Sequence, residues 1–281
     1  MSTELTGEEG LQTLGPGATE LLRTLDAVLE GWGSDEGAAS MIMPPLLPVA
    51  SLARLDFYDN FPHQALVAGA LDLGRHRPFE RPEFFAADAM EPARLGLPSA
   101  ACFAVYLHHQ GHTLDQDTRV TVLGRCFRRE EHYDGLRRLL GFHMREIVAL
   151  GSREFVRGHL DRCEGRILAL AAALDLPVRK EAATDPFYDR GGQRALAQRL
   201  APVKHEFLVD GLAIASLNVH RNFFGERCGI VCGASGEAVH TGCAAFGLER
   251  WLSVLRTRHG SWAAATEAVE KAAAGSAETA P

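Results

Sequence analysis

An α+β fold, a mostly antiparallel sheet flanked by helices, is what this chain predicts, and three observations predict it. Its 281 residues with 46% hydrophobic content suffice to bury one substantial core, so a single domain near the upper size limit fits better than two large ones. Strand-like runs recur at 101–107, 119–124, 146–150, 205–217 and 229–232, enough for an antiparallel sheet with short connections. Two longer stretches place their apolar residues at helical steps instead.

In chain order, residues 1–18 carry glycine, threonine and glutamate with little periodicity and read as a flexible N-terminus. Leu21, Leu22, Leu25, Val28 and Leu29 then form one amphipathic helix over 18–31, with Gly31 and Gly33 as its stop. The runs ACFAVYL at 101–107 and RVTVLG at 119–124 read as strands, the second making a hairpin between 120 and 150 with EIVAL at 146–150. Over 152–175, Val156, Leu160, Cys163, Ile167, Leu170 and Leu174 recur at three- and four-residue steps, Ser152 can cap the start and Pro177 follows the end. Arg153 and Arg157 flank one side of that stripe, Arg162 and Arg166 the other. They read either as a solvated face or as a docking surface for an acidic partner. The runs at 205–217 and 229–232 complete the sheet, the ordered domain spans 19–262, and 263–281 is an Ala-rich C-terminal tail read as frayed or disordered.

A formal charge of −7 gives no general attraction to a polyanion, so tRNA or DNA binding would need a local basic patch working against the overall field. The first residues, MSTELTGEEG, lack the basic and apolar regions of a signal peptide, and no run of about 18 apolar residues is present to span a bilayer. A soluble, cytoplasmic protein with no membrane partner is expected. The six cysteines, at 102, 126, 163, 228, 232 and 243, show no short-range pairs of the zinc-knuckle kind and read as thiols in that setting.

The chemistry lies in two arginine clusters. In GCAAFGLERWL, residues 242–252, Arg250 sits in the first turn of a helix that Trp251, Leu252, Val254 and Leu255 anchor in the core. A guanidinium fixed there presents planar paired donors and keeps its charge, which suits a polyphosphate. CFRRE at 126–130 supplies Arg128 and Glu130 after the strand at 119–124, and two arginines brought together from distant segments can hold the two ends of a triphosphate.

With CFRRE as motif 2 and FGLER as motif 3, the sequence resembles the class II aminoacyl-tRNA synthetase-like catalytic domain. FHMREIVALG at 142–151, DPFYDRGG at 185–192, IASLN at 214–218 and GEAVHTGC at 236–243 extend the likeness to the amino acid:carrier-protein ligases, stand-alone relatives of atypical seryl-tRNA synthetases. It covers roughly 41–260, with MPPLLP at 43–48 in the place of motif 1 but no clear long helix before it.

The resemblance implies ATP-dependent activation of a small amino acid, such as glycine or alanine, to an aminoacyl-adenylate. Transfer to the phosphopantetheine thiol of a holo carrier protein follows, in a homodimer with no tRNA partner. The alternatives are a truncated tRNA-aminoacylating enzyme or a catalytically silent binding subunit. By the same resemblance, Arg128 binds the α-phosphate and the amino-acid carboxylate, Glu130 fixes adenosine or substrate, and Arg250 holds the γ-phosphate. Phe142 stacks on adenine, Arg137 and Arg138 reach the phosphates, Lys204, Ser216 and Asn218 face ATP and substrate, and Glu237 meets Mg2+. Cys102, Glu146 and Cys243 match a Zn2+ site with a fourth position open to an amino group. An extra helical element at about 152–200 receives the carrier.

Overall fold

The computed structural model describes residues 6–8, 10–75 and 83–278. A short N-terminal hairpin, β1 (Thr6–Glu8) and β2 (Leu11–Thr13), leads into helix α1 (Pro16–Asp35), whose Leu21, Leu25 and Leu29 are buried. This helix runs through Gly31 and Gly33 rather than stopping there. A Cβ on Gly33 would lie 3.0 Å from the Thr121 Cβ, so this glycine marks close approach of helix to sheet and not a terminus. Edge strand β3 (Ala39–Met41) follows. The long helix not evident before MPPLLP in the sequence is therefore α1, with β3 leading from it to the prolines.

Next come β4 (Leu47–Pro48), α2 (Val49–Arg54), α3 (Phe57–Asn60), β5 (Leu66–Ala68) and β6 (Leu95–Leu97), the strands pairing as a small antiparallel sheet. They are followed by α4 (Cys102–His108), β7 (Thr113–Leu114), β8 (Thr118–Phe127), β9 (Gly141–Gly151) and α5 (Arg153–Ala173). The rest comprises β10 (Arg179–Ala183), α6 (Gln193–Leu200), β11 (Lys204–Val209), β12 (Leu212–Arg221), α7 (Phe223–Cys228), β13 (Val231–Cys232), β14 (His240–Gly247), α8 (Leu248–His259) and α9 (Trp262–Glu278). The central sheet has seven strands in the order β10-β11-β12-β14-β9-β8-β3, antiparallel throughout except for β3 against β8. Among the described residues no helix is long and apolar enough to cross a membrane.

Five further sequence expectations are corrected. Residues 101–107 form helix α4, not a strand: Cys102, Phe103, Ala104, Val105 and Tyr106 are all buried, and a run buried on every side carries no period to tell helix from strand. The run at 205–217 is two strands, β11 and β12, turned at Asp210-Gly211, both in left-handed conformation as a two-residue hairpin requires. The run at 229–232 leaves only the two-residue β13, paired with β7 outside the main sheet. The Ala-rich end is helix α9, with Ala265 and Val269 buried, and the N-terminal stretch holds β1, β2 and the first turn of α1. Residues 1–5, 9 and 279–281 of those two stretches lie outside the described residues.

Strand alternation divides the core in two. On β9, Ile147 and Ala149 face the layer built by α1, α5, α8 and α9, while Met144, Val148 and Leu150 face the layer that holds α4, α7 and the small sheet. Helix α5 starts where Ser152 caps the Phe155 amide at 3.2 Å and buries Val156, Leu160, Cys163, Ile167 and Leu170 in the first layer.

At the rim of this layer Glu36 gathers two arginines and a histidine: its Oε2 lies 3.2 Å from Arg119 Nε, 3.0 Å from Arg162 Nη2 and 3.4 Å from His159 Nδ1. Arg166 pairs with Asp35 at 3.0 Å, so both arginines on that flank of α5 are engaged with α1. Burial pushes the Glu36 carboxyl up, but hydrogen bonds and charge from His159 and Arg162 outweigh it and hold it at about 2. A folded pKa below the unfolded value of 4.5 stabilises above that value and is lost as pH falls toward about 2. Glu36→Gln is expected to lower unfolding free energy by about 1–3 kcal/mol at neutral pH, measured by denaturant titration, with the deficit shrinking as pH drops through that window. An unchanged denaturation midpoint at neutral pH would remove this cluster from the stabilising contacts.

Candidate active site

The second sheet face opens into a cleft whose empty volume, mouth included, is about 650 Å³. Arg128, Glu130, Arg137, Arg138, Phe142, Lys204, Ser216 and Arg250 all line it. The β8–β9 hairpin carries the first five on its ends and connecting loop, because the two strands pair from Thr118↔Leu150 to Phe127↔Gly141 and splay only beyond. Arg128 donates from Nε and Nη2 to the Ser99 carbonyl at 3.1 and 3.0 Å, and its guanidinium sits 5.1 Å from the Phe142 ring centroid. Arg138 pairs with Glu130 at 3.0 Å.

Arg250 comes from the first turn of α8, as the FGLER segment predicts. It donates from Nε to the Arg137 carbonyl at 3.0 Å and from Nη1 to the Ala213 carbonyl at 3.1 Å. Burial first, and then the Arg128 charge, pulls its pKa down to about 10, against which Glu206 acts. A half-buried cation oriented by carbonyls and crowded by like charge gains from an anionic ligand.

Glu206 and Glu249 also line the cleft and were not singled out from the sequence. Glu206 lies 3.2 Å from Lys204 Nζ, two residues away on the same strand face, so the Lys-x-Glu alternation was the available signal. Glu249 is buried and accepts from the His143 amide at 2.8 and 3.0 Å and lies 2.7 Å from His143 Nδ1, locking α8 to β9. Glu237 is not brought here; it sits on an exposed turn after β13, where its carbonyl accepts from the Cys232 amide.

Further along the same face, Cys102, Glu146 and Cys243 meet, buried, with one ligand atom of each within 4.8 Å of the others. Glu146 and Cys243 each lie one strand repeat from a cleft residue, Met144 and Ala245 respectively. Glu146 Oε1 accepts from the Ala101 and Cys102 amides at 2.7 and 3.2 Å, which ties α4 to β9, whereas its Oε2 is buried with no hydrogen-bond partner among the described residues. Asn218 donates to Ser216 Oγ at 3.1 Å and to Cys243 Sγ at 3.5 Å. The Cys243 hydrogen bond, burial and the Glu146 charge all push the Cys102 thiol well up. For Cys243 the Cys102 bond pulls down, but burial and Glu146 win, leaving it at about 11. Two thiols beside an orphaned carboxylate oxygen form a donor set that a divalent cation satisfies, because a coordinated thiol is deprotonated outright. Cys126, Cys163, Cys228 and Cys232 are free.

No protein-family profile matches the chain. It is 33% identical over 243 residues to amino acid–[acyl-carrier-protein] ligase 1 of Bradyrhizobium diazoefficiens, covering 81% of this chain and 73% of that protein. Ligase 2 of the same organism is 34% identical over 236 residues, covering 78% and 70%. The chain belongs to the amino acid–[acyl-carrier-protein] ligase family. Type-2 serine–tRNA ligase of Methanococcus aeolicus is more distant, at 26% identity over 87% of the chain and 52% of that protein. The solved M. kandleri seryl-tRNA synthetase in complex with A. aeolicus tRNASec superposes with a TM-score of 0.79 at 20% identity, covering 95% of this chain and 57% of that one. The Pyrococcus horikoshii seryl-tRNA synthetase complexed with ATP gives 0.66 at 15% identity, over 89% of this chain and 54% of that one. The ligase fold is thus the class II aminoacyl-tRNA synthetase catalytic domain.

The unmatched cationic charge of this ligase's cleft leads to a direct test. Inorganic tripolyphosphate is expected to raise the thermal midpoint of the unsubstituted chain by linkage, and Arg250→Ala is expected to lose most of that rise. Equal shifts in both proteins would place the anion elsewhere.

Proposed function

We propose that this chain activates a small amino acid with ATP and passes the aminoacyl group to the phosphopantetheine thiol of a carrier protein. The observation that carries this reading is one sheet face that holds both a two-arginine cleft and a buried Cys-Glu-Cys cluster beside it. The ligase relatives support the carrier as acceptor.

In the first step an amino-acid carboxylate oxygen attacks the α-phosphorus and pyrophosphate leaves. In the second, the carrier thiol attacks the acyl carbonyl and AMP leaves. Neither step needs a protein nucleophile; both need alignment and neutralisation of developing charge. Arg128 supplies charge at the α-phosphate, oriented by its two bonds to the Ser99 carbonyl. Arg250 supplies it at the γ-phosphate from the α8 side, and Phe142, Arg137 and Arg138 complete the nucleotide walls. Of the carboxylates, Glu206 and Glu249 line the cleft where Mg2+ would accompany the phosphates, and Glu237 does not. Zn2+ held by Cys102, Glu146 and Cys243 would offer an open coordination position to a neutral α-amino group, which favours amino acids over plain carboxylic acids.

Carrier docking fits the second half of the 152–200 element better than α5, which packs on the sheet face away from the cleft. Helix α6 reaches the cleft through Asp185, which accepts from Gln198 and pairs with Lys204, and it presents Arg199 and Leu200 to solvent. A homodimer would cover exposed apolar side chains such as Ile42, 98% exposed, and Phe84, 78% exposed. Free cysteines fit a cytoplasmic setting.

Amino-acid-dependent ATP–pyrophosphate exchange tests activation: Arg128→Ala and Arg250→Ala should each cost about 2–4 kcal/mol in that step and leave the fold intact. Full exchange in both would refute the assignment. Radiolabelled amino acid offered to a holo carrier protein and to total tRNA together tests the acceptor, and label on tRNA alone would overturn the carrier reading.

Metal analysis should find about one zinc per chain. Cys243→Ala should lose the zinc together with amino-acid affinity, whereas zinc retained in that variant would assign the cluster to packing.

A further inference from the structure

The loop between β8 and β9 brings Arg128, Arg137 and Arg138 to the cleft, and three contacts hold it, one of them within the loop itself. Arg250 donates to the Arg137 carbonyl at 3.0 Å, Arg138 pairs with Glu130 at 3.0 Å, and the third hold comes from the N-terminal hairpin. At the turn between β1 and β2, the Gly10 carbonyl accepts the Leu140 amide at 2.9 Å, while the Leu140 carbonyl accepts the Arg128 amide, also at 2.9 Å. The hairpin turn is thus one peptide away from the backbone of the arginine placed at the α-phosphate.

Gly10 fits this contact for two reasons. Its φ of +78° lies in the left-handed region, and a Cβ would stand 2.5 Å from Tyr133 Cδ1 and 2.7 Å from the Leu140 nitrogen. The Tyr133 ring, from the same loop, covers the glycine, so any side chain there pushes the turn off the loop rather than into solvent.

We infer that the N-terminal hairpin is a positioning element for nucleotide binding: Gly10, through Leu140, sets the backbone from which Arg128 enters the cleft. This rests on the reading that the cleft takes ATP. The hairpin reaches the site through Arg128 and not through the Cys-Glu-Cys cluster, so its effect falls first on ATP and spares the metal ligands. An element that merely stabilised the fold would affect ATP and amino acid alike.

The test uses the full chain with Gly10→Val and, as a gentler second variant that keeps the turn, Tyr133→Ala. ATP affinity is measured by calorimetry at a temperature where each protein is folded, alongside zinc content and the KM for ATP and for amino acid in exchange. Loss of one backbone hydrogen bond with its alignment should weaken ATP binding about five- to tenfold in Gly10→Val and about two- to fivefold in Tyr133→Ala. Zinc content should hold, and the amino-acid KM should rise less than the KM for ATP. ATP binding by the unsubstituted chain that neither variant weakens overturns the positioning role alone, as does an equal rise in the amino-acid KM. An unsubstituted chain that binds no ATP overturns the nucleotide reading and the positioning role with it.

Discussion

Two guanidinium groups of like sign, Arg128 and Arg250, share one cleft and are both anchored on carbonyl oxygens, which orient a cation without neutralising it. The folded chain bears that repulsion and the desolvation of Arg250, and an incoming polyphosphate relieves both. Much of the architecture serves to keep these groups in place. Strands β8 and β9 stay paired up to Phe127↔Gly141, so the loop carrying Arg137 and Arg138 starts from a rigid base. Buried Glu249 grips His143 and fixes the start of α8, from which Arg250 extends. Leu136 and Leu139 sink into the helical core and hold the loop from below.

The sequence was most legible where one periodicity ruled a long stretch. Helix α5 and its Ser152 cap, the start of α8 at FGLER, and the β8–β9 hairpin all stand where local pattern put them. Legibility failed where burial erased the pattern: α4 is apolar on every side, and Asp210-Gly211 hid inside an apolar run. Helix α9 was missed for another reason. Its core contacts are made by Ala265, Val269 and Ala272, small residues that let it lie close to α1 but read as low complexity in the chain alone.

The site divides in the same way. Cleft residues Arg128, Glu130 and Arg250 were local to recognisable segments, whereas Cys102, Glu146 and Cys243 come from three distant elements and were nominated by resemblance rather than spacing. Glu206 escaped notice although its alternation with Lys204 was visible, because an acid next to a base on a strand looks like ordinary surface pairing. Glu237 drew attention by its neighbours in sequence, yet it sits on an exposed turn and does not line the cleft.

One sheet with the main helical core on one face and the Cys-Glu-Cys cluster on the other turns strand alternation into a rule of inheritance. Along β9, Ile147 and Ala149 point into the helical core, while the alternate positions Met144 and Glu146 belong to the cleft and to the Cys-Glu-Cys cluster. Foldability and substrate choice therefore sit on interleaved residues of the same few strands and can drift separately. Such a scaffold can be given a new substrate by altering every second residue, without the helical layer taking part.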